Sequence, residues 1–120
     1  MTTTKPELNW KALDGWYRNK LVGFGQVRGL IRVSLDGRIM FIGRAAAMGS
    51  SLKSRLDAYS KPYGTGRNHY AGKMIYAHRA EILMEYAVLD LPAFEINQLA
   101  DDLIEMHEPP WNMQTDRFRS

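Results

Sequence analysis

The sequence predicts an α+β fold in which a small three-stranded antiparallel sheet is flanked by helices. Two apolar, β-branched runs, residues 30–35 and 38–43, are separated only by Asp36 and Gly37. An Asp-Gly pair between such runs favours a type I′ turn, because both central residues need positive φ. A third strand-like run covers residues 82–89, and helical patterns lie on either side of it. A hairpin combined with helices in this order indicates a layered α+β domain.

The segment before the hairpin is predicted to contain a short amphipathic helix. Its apolar residues recur at helical spacing: Trp10, Leu13, Trp16 and Tyr17. Two tryptophans are costly to expose, so we expect this helix to pack on the core. Residues 1–28 are therefore interpreted as an N-terminal helical extension.

Two helices are predicted between the hairpin and the third strand. Residues 50–51 are both serine, and a serine there can cap a helix that contains Leu52, Leu56 and Tyr59. The glycine-rich residues 63–68 indicate a loop. A second helix is predicted over residues 69–79.

A last helix is predicted to begin near Pro92, which suits a first turn, and to end before the prolines at 109–110. Its apolar positions fall on one face with a period near 3.6: Ile96, Leu99, Leu103 and Ile104. The domain is assigned to residues 29–112. Residues 113–120 are predicted to form a polar tail.

The composition narrows the class of protein. A chain of 120 residues is one domain's worth. The absence of cysteine excludes disulfides and thiolate metal sites. No apolar run reaches the roughly 20 residues that span a bilayer, and the first residues lack the apolar segment of a signal peptide. We expect a soluble, cytoplasmic protein with no membrane association.

Charge is divided along the chain, although the net charge is only +3. Residues 44–79 contain seven Lys or Arg and one acid, Asp57. Residues 80–108 contain eight acids and no Lys or Arg. Such a division suits a polyanion bound on one face. The alternative is that the acidic and basic helices each present an ordinary solvated face.

The hairpin resembles the opening of the GIY-YIG nuclease family. In that family the first strand carries Gly-Ile-Tyr and the second Tyr-Ile-Gly. Here residues 29–31 are Gly-Leu-Ile and residues 41–43 are Phe-Ile-Gly. The family then has a basic residue, and here it is Arg44.

Later motifs of the family follow in the same order. Its first helix has Leu-x-x-Arg and then an aromatic residue or histidine, which correspond to Leu52, Arg55 and Tyr59. Its last helix has Leu-Glu-x-x-Leu-Ile before a Pro-x-aromatic-Asn closure. Here residues 99–104 read Leu-Ala-Asp-Asp-Leu-Ile and residues 109–112 read Pro-Pro-Trp-Asn. No single motif is specific, but the ordered set covers most of the chain.

The resemblance implies a DNA-binding endonuclease that hydrolyses phosphodiesters with a divalent metal, Mg²⁺ or Mn²⁺. An arginine and the metal would hold the scissile phosphate, and the planar guanidinium of Arg55 suits that role. The catalytic positions that the resemblance assigns are Arg55, Tyr59, Arg44, Phe41 and Asn112. Further basic residues that could contact the nucleic-acid backbone are Lys53, Lys61, Arg67 and Lys73. For Asn112, a hydrogen bond at a helix end is an equal alternative.

Three positions depart from the family pattern. The two hairpin tyrosines are replaced by Ile31 and Phe41, which cannot transfer protons. The metal-binding glutamate falls on Ala100, which the helical period predicts to point inward, whereas Asp101 and Asp102 are predicted to be solvated. Since Mg²⁺ is held by one or two carboxylates plus phosphates, little of a metal site remains.

Two explanations are open: the chain has kept a binding surface and lost the chemistry, or Ala100 replaces a native glutamate. The first predicts an inactive scaffold that binds nucleic acid or a protein partner. In that case Trp10 and Trp16 could belong to a partner surface. The three histidines are too far apart in sequence for a local metal motif: His69, His78 and His107.

Overall fold

A four-stranded antiparallel sheet forms the centre of the domain in the computed structural model, which describes residues 8–13, 16, 27–46, 51–60 and 70–113. The strands are β1 (Lys11–Ala12), β2 (Gly29–Leu35), β3 (Arg38–Ala45) and β4 (Leu83–Val88). They lie in the order β1-β4-β2-β3, and every neighbouring pair is antiparallel. The helices are α1 (Leu52–Tyr59), α2 (Tyr70–Ala77), α3 (Ala93–His107) and α4 (Pro110–Met113).

The hairpin prediction is confirmed by the turn between β2 and β3. Asp36 has φ 52° and Gly37 has φ 80°, the two positive values that a type I′ turn requires. The pairing shifts once, because Val33 lies opposite Phe41 while Ser34 lies opposite Ile39. The extra residue on β3 produces a local bulge, which increases the twist of the hairpin.

The N-terminal segment corrects two predictions. Lys11 and Ala12 form a strand that pairs with Tyr86 and Glu85 of β4, so the predicted helix is wrong at these residues and the sheet has four strands instead of three. The physical reason is the outer edge of β4, whose main-chain groups gain partners from β1. Tyr17 lies outside the described residues, and the division at residue 28 stays a prediction.

Helices cover both faces of the sheet because neighbouring residues of a strand point to opposite sides. One face of β2 and β3 packs against α1, α2 and α4 through these buried side chains: Ile31, Val33, Phe41, Leu52, Leu56, Tyr59, Ala71, Ile75 and Trp111. The other face packs against α3 through Leu30, Ile42, Ala46, Ile96, Leu99 and Ala100. The same alternation therefore decides which helix each functional residue can meet.

The helix ends agree with local capping rules. Ser51 caps α1 as predicted: the Ser54 N–H donates to its Oγ (3.2 Å), and its own N–H donates to the Ser54 Oγ (2.9 Å). Pro92 lies one residue before α3, and Glu108 ends that helix with a left-handed φ of 45°. The unpredicted α4 begins at Pro110, because a proline is favourable at a first helical position.

No helix among the described residues is long and apolar enough to cross a membrane.

Candidate nucleic-acid interface

Phe41 and Tyr59 meet on the side of β3 that faces α1. Their ring centroids are 5.8 Å apart with an interplanar angle of 85°, an edge-to-face contact between two buried rings. Gly43 lies beside them: a Cβ at Gly43 would come within 2.7 Å of the Phe41 ring and 3.4 Å of the Tyr59 hydroxyl. The glycine therefore makes room for the Phe41 ring and leaves the Tyr59 hydroxyl close to the β3 backbone.

Tyr59 is a proton donor at neutral pH and not a base. Burial raises the pKa of its hydroxyl to about 12, and the nearby Arg55 guanidinium opposes that rise only in part. The neutral phenol is thus the stable form at every pH below that value. Within the described part of the chain, no residue forms a hydrogen bond with this hydroxyl.

Three cations lie on the outside of α1 and α2. Lys53 and Arg55 are exposed on α1, and Lys73 is exposed on α2. None of them forms an ion pair with another described residue. The single acid on these two helices is Asp57. Two further predicted contacts, Lys61 and Arg67, lie outside the described residues.

Arg44 lies on the opposite face of the sheet from Arg55. Its Nη1 donates to the main-chain oxygen of Asn97 (3.3 Å) and to Asp101 Oδ1 (3.0 Å), both on α3. The Arg44 side chain is therefore bound to α3, whereas Arg55 and Tyr59 lie on α1. A site shared by the three residues stays a prediction. Asp101 is exposed, as predicted, but its role as the partner of Arg44 was missed. The opposite charges of Arg44 and Asp101 were the only sign of this contact in the sequence, and charge by itself does not identify a partner.

Ala100 is fully buried in the apolar layer between α3 and the sheet, as the helical period predicted. Its neighbours there are Leu30 and Ile42 of the sheet and Ile96 and Leu99 of α3. A glutamate at position 100 would place its carboxylate inside the apolar layer between α3 and the sheet, or at the edge of that layer.

The described residues around Ala100 do not fit a divalent metal. Metal ions such as Mg²⁺ need carboxylate oxygens, and a methyl group offers none. The adjacent carboxylate of Asp101 already accepts a hydrogen bond from Arg44. In the described ranges, no three His, Asp or Glu side chains lie close enough to bind an ion together. His78 instead stacks on Trp111 and contacts Glu81.

Asn112 fixes the free edge of β3. Its Oδ1 accepts a hydrogen bond from the Ile42 N–H (2.8 Å), and its Nδ2 donates to the Ile42 carbonyl oxygen (2.9 Å). Because β3 is an outer strand, these main-chain groups have no strand partner on that side. The amide therefore takes the place of a neighbouring strand. The part in shaping the site that the resemblance implies stays a prediction.

We expect Asn112→Ala to lower the free energy of unfolding by about 1–3 kcal/mol. The change leaves a half-buried N–H and carbonyl of β3 without their partners. Urea unfolding followed by circular dichroism measures the loss. Asn112→Asp is the matched control: it keeps an acceptor for the N–H but removes the donor to the carbonyl, so it should also be destabilising. A loss below about 0.5 kcal/mol for both variants contradicts this role.

Charge is divided between the two faces of the sheet as well as along the chain. The cationic α1 and α2 cover one face. The α3 helix on the other face carries four acids: Glu95, Asp101, Asp102 and Glu105. A polyanion would therefore be attracted to the α1–α2 side and repelled by the α3 side.

Comparison with known proteins agrees with this architecture. The crystal structure of the GIY-YIG N-terminal endonuclease domain of UvrC from Thermotoga maritima, a tyrosine-to-phenylalanine point mutant bound to the catalytic divalent cation, is similar with a TM-score of 0.61. The match covers 85% of this chain and 100% of that domain at 20% sequence identity. No family model matches the sequence, and no curated protein matches it. The chain therefore has a GIY-YIG-like fold, as its motifs predicted.

Proposed function

We propose that this chain is a DNA-binding domain that uses a GIY-YIG-like scaffold and does not cut its ligand. The observation that carries the proposal is the group of exposed cations on α1 and α2, Lys53, Arg55 and Lys73, opposite an acidic α3. Phosphate contacts from such residues supply most of the sequence-independent affinity for DNA.

The chemistry of the Arg55 and Tyr59 pair suits a phosphate oxygen. The guanidinium is always charged and presents several N–H donors, and the Tyr59 hydroxyl keeps its proton because its pKa is about 12. Both groups therefore donate hydrogen bonds, and neither needs a metal to attract an anion. Gly43 leaves the hydroxyl close to the edge of the sheet.

The absence of hydrolysis is inferred from the groups that the chain places around this edge. Ile31 and Phe41 have no hydroxyl with which to activate water. The Tyr59 phenol keeps its proton at neutral pH, because its pKa is about 12, so it cannot act as a base. Ala100 offers no carboxylate for the cation. These features support binding without hydrolysis.

A metal-dependent endonuclease is the second candidate. It is favoured by the likeness to an endonuclease domain that was crystallised with a catalytic divalent cation. It requires that a carboxylate stand at position 100 in the native protein, so that Mg²⁺ or Mn²⁺ could be held. Only then could Arg55 and the cation share the charge that develops on the phosphate.

A protein partner on the N-terminal tryptophans is disfavoured by their packing. Trp16 is 3% exposed and belongs to the core. The Trp10 ring lies 4.4 Å from the guanidinium carbon of Arg32, which in turn pairs with Glu85 (2.9 Å). Trp16 therefore belongs to the core, and the half-buried Trp10 ring is partly covered by Arg32.

We expect labelled duplex DNA to bind this chain with an affinity that falls steeply as salt rises, without added divalent cation. Arg55→Ala, Lys53→Ala and Lys73→Ala should each weaken binding, and each should reduce the slope of log K against log salt by about one. Fluorescence anisotropy at several salt concentrations measures both quantities. Lys11→Ala is the control, because it removes the same charge from the far edge of the sheet. Failure to bind at low salt, or equal effects of Lys11→Ala and Arg55→Ala, contradicts the proposed interface.

A further inference from the structure

Arg44 is a cation at the edge of the sheet that is not free to meet a ligand. It follows Gly43 on the outer strand β3, and its Nη1 is bound to Asn97 and Asp101 of α3. Gly43 faces the Tyr59 hydroxyl on the other side of the same strand. A duplex bound at Arg55 and Tyr59 would therefore lie close to Arg44, the residue that follows Gly43.

The partner of Arg44 has the same chemistry as a phosphate. A carboxylate and a phosphate each present oxygens that match the N–H donors of a guanidinium. The Arg44–Asp101 pair is also open to water: the side chains are 40% and 59% exposed. An exposed pair of this kind is weak and screened by salt, so a phosphate can replace the carboxylate.

We infer that Asp101 competes with nucleic-acid phosphate for Arg44, so that Arg44 is an additional phosphate-binding residue whose contribution Asp101 suppresses. The inference rests on the proposed DNA binding and adds a control of affinity at the outer edge of β3, where the two faces of the sheet meet. In the unliganded protein the carboxylate holds the guanidinium against α3. A phosphate gains this cation only by displacing Asp101.

The test compares two neutral substitutions on α3. Asp101→Asn breaks the ion pair, whereas Glu105→Gln removes the same charge one turn further along the helix. Both change the net charge of α3 equally, so a difference in affinity between them tests the release of Arg44. We expect Asp101→Asn to bind duplex DNA about two- to fivefold more tightly than Glu105→Gln, the range that corresponds to an exposed ion pair. For Asp101→Asn, the slope of log K against log salt should become steeper by about one.

Arg44→Ala completes the experiment. In the Asp101→Asn background it should remove the gain in affinity, because the cation that the substitution releases is then absent. Equal binding by Asp101→Asn and Glu105→Gln overturns the inference and leaves the proposed function standing. The inference is also overturned if Arg44→Ala weakens DNA binding by the wild-type protein as much as Arg55→Ala does, because Arg44 would then already contact DNA. If no variant binds DNA, the proposed function fails and this inference fails with it.

Discussion

Gly29→Ala will destabilise the domain by more than about 3 kcal/mol. A Cβ at this position would overlap the carbonyl oxygen of Ala87 on β4 and press on the Leu52 side chain at 3.2 Å. The obstacle is main chain on a neighbouring strand, which cannot rotate away as a side chain can. Relief would require β2 and β4 to separate at the start of the central strand, and close-packed interiors tolerate such insertions poorly.

Gly37→Ala is the matched control for this prediction. Gly37 has φ 80° in the hairpin turn, but nothing lies within 4 Å of an added Cβ. The cost there is only that of a left-handed alanine, about 1 kcal/mol. Urea unfolding of both variants gives the comparison. A loss in Gly29→Ala no greater than that in Gly37→Ala would show that the strands have more freedom than this packing implies.

Ala100→Glu should lower the free energy of unfolding by about 3 kcal/mol and should not produce a nuclease. The residue is completely buried against apolar side chains of the sheet and α3, so the larger side chain overpacks the layer and its charge lacks water. Arg44, the cation that contacts this part of α3, is already engaged by Asp101. Among the described residues, the new carboxylate therefore has no ready partner.

Unfolding and cleavage measured on one preparation test this expectation. Met106→Glu is the control for stability, because it adds the same side chain at a position of α3 that is 65% exposed. Cleavage of duplex DNA would be followed with Mg²⁺ and with Mn²⁺. If Ala100→Glu is as stable as Met106→Glu and cuts DNA, position 100 is a metal-ligand position and the endonuclease candidate is correct. In that case Arg55→Ala in the glutamate background should abolish cutting.

Several elements could be predicted because their causes are local in the chain. The hairpin follows from Asp36 and Gly37, whose positive φ values are a property of that dipeptide. The start of α1 follows from Ser51, which bonds within its own first turn. The inward direction of Ala100 follows from the helical period, since the same 3.6-residue repeat orients Ile96 and Leu99. Motif order was sufficient to indicate the fold.

The candidate site was predicted less completely, because its contacts join distant parts of the sequence. Arg44 and Asp101 are 57 residues apart, and Asn112 lies 70 residues from Ile42. The helical spacing of the N-terminal tryptophans was equally misleading, since the unpaired edge of β4 recruits Lys11 and Ala12 as a strand. The sequence by itself determined the local elements and the burial of an alanine at position 100. Only the tertiary structure decided which side of the sheet each cation occupies and that Asn112 bonds to the unpaired main chain of β3. Both depend on how elements that are distant in the sequence pack together.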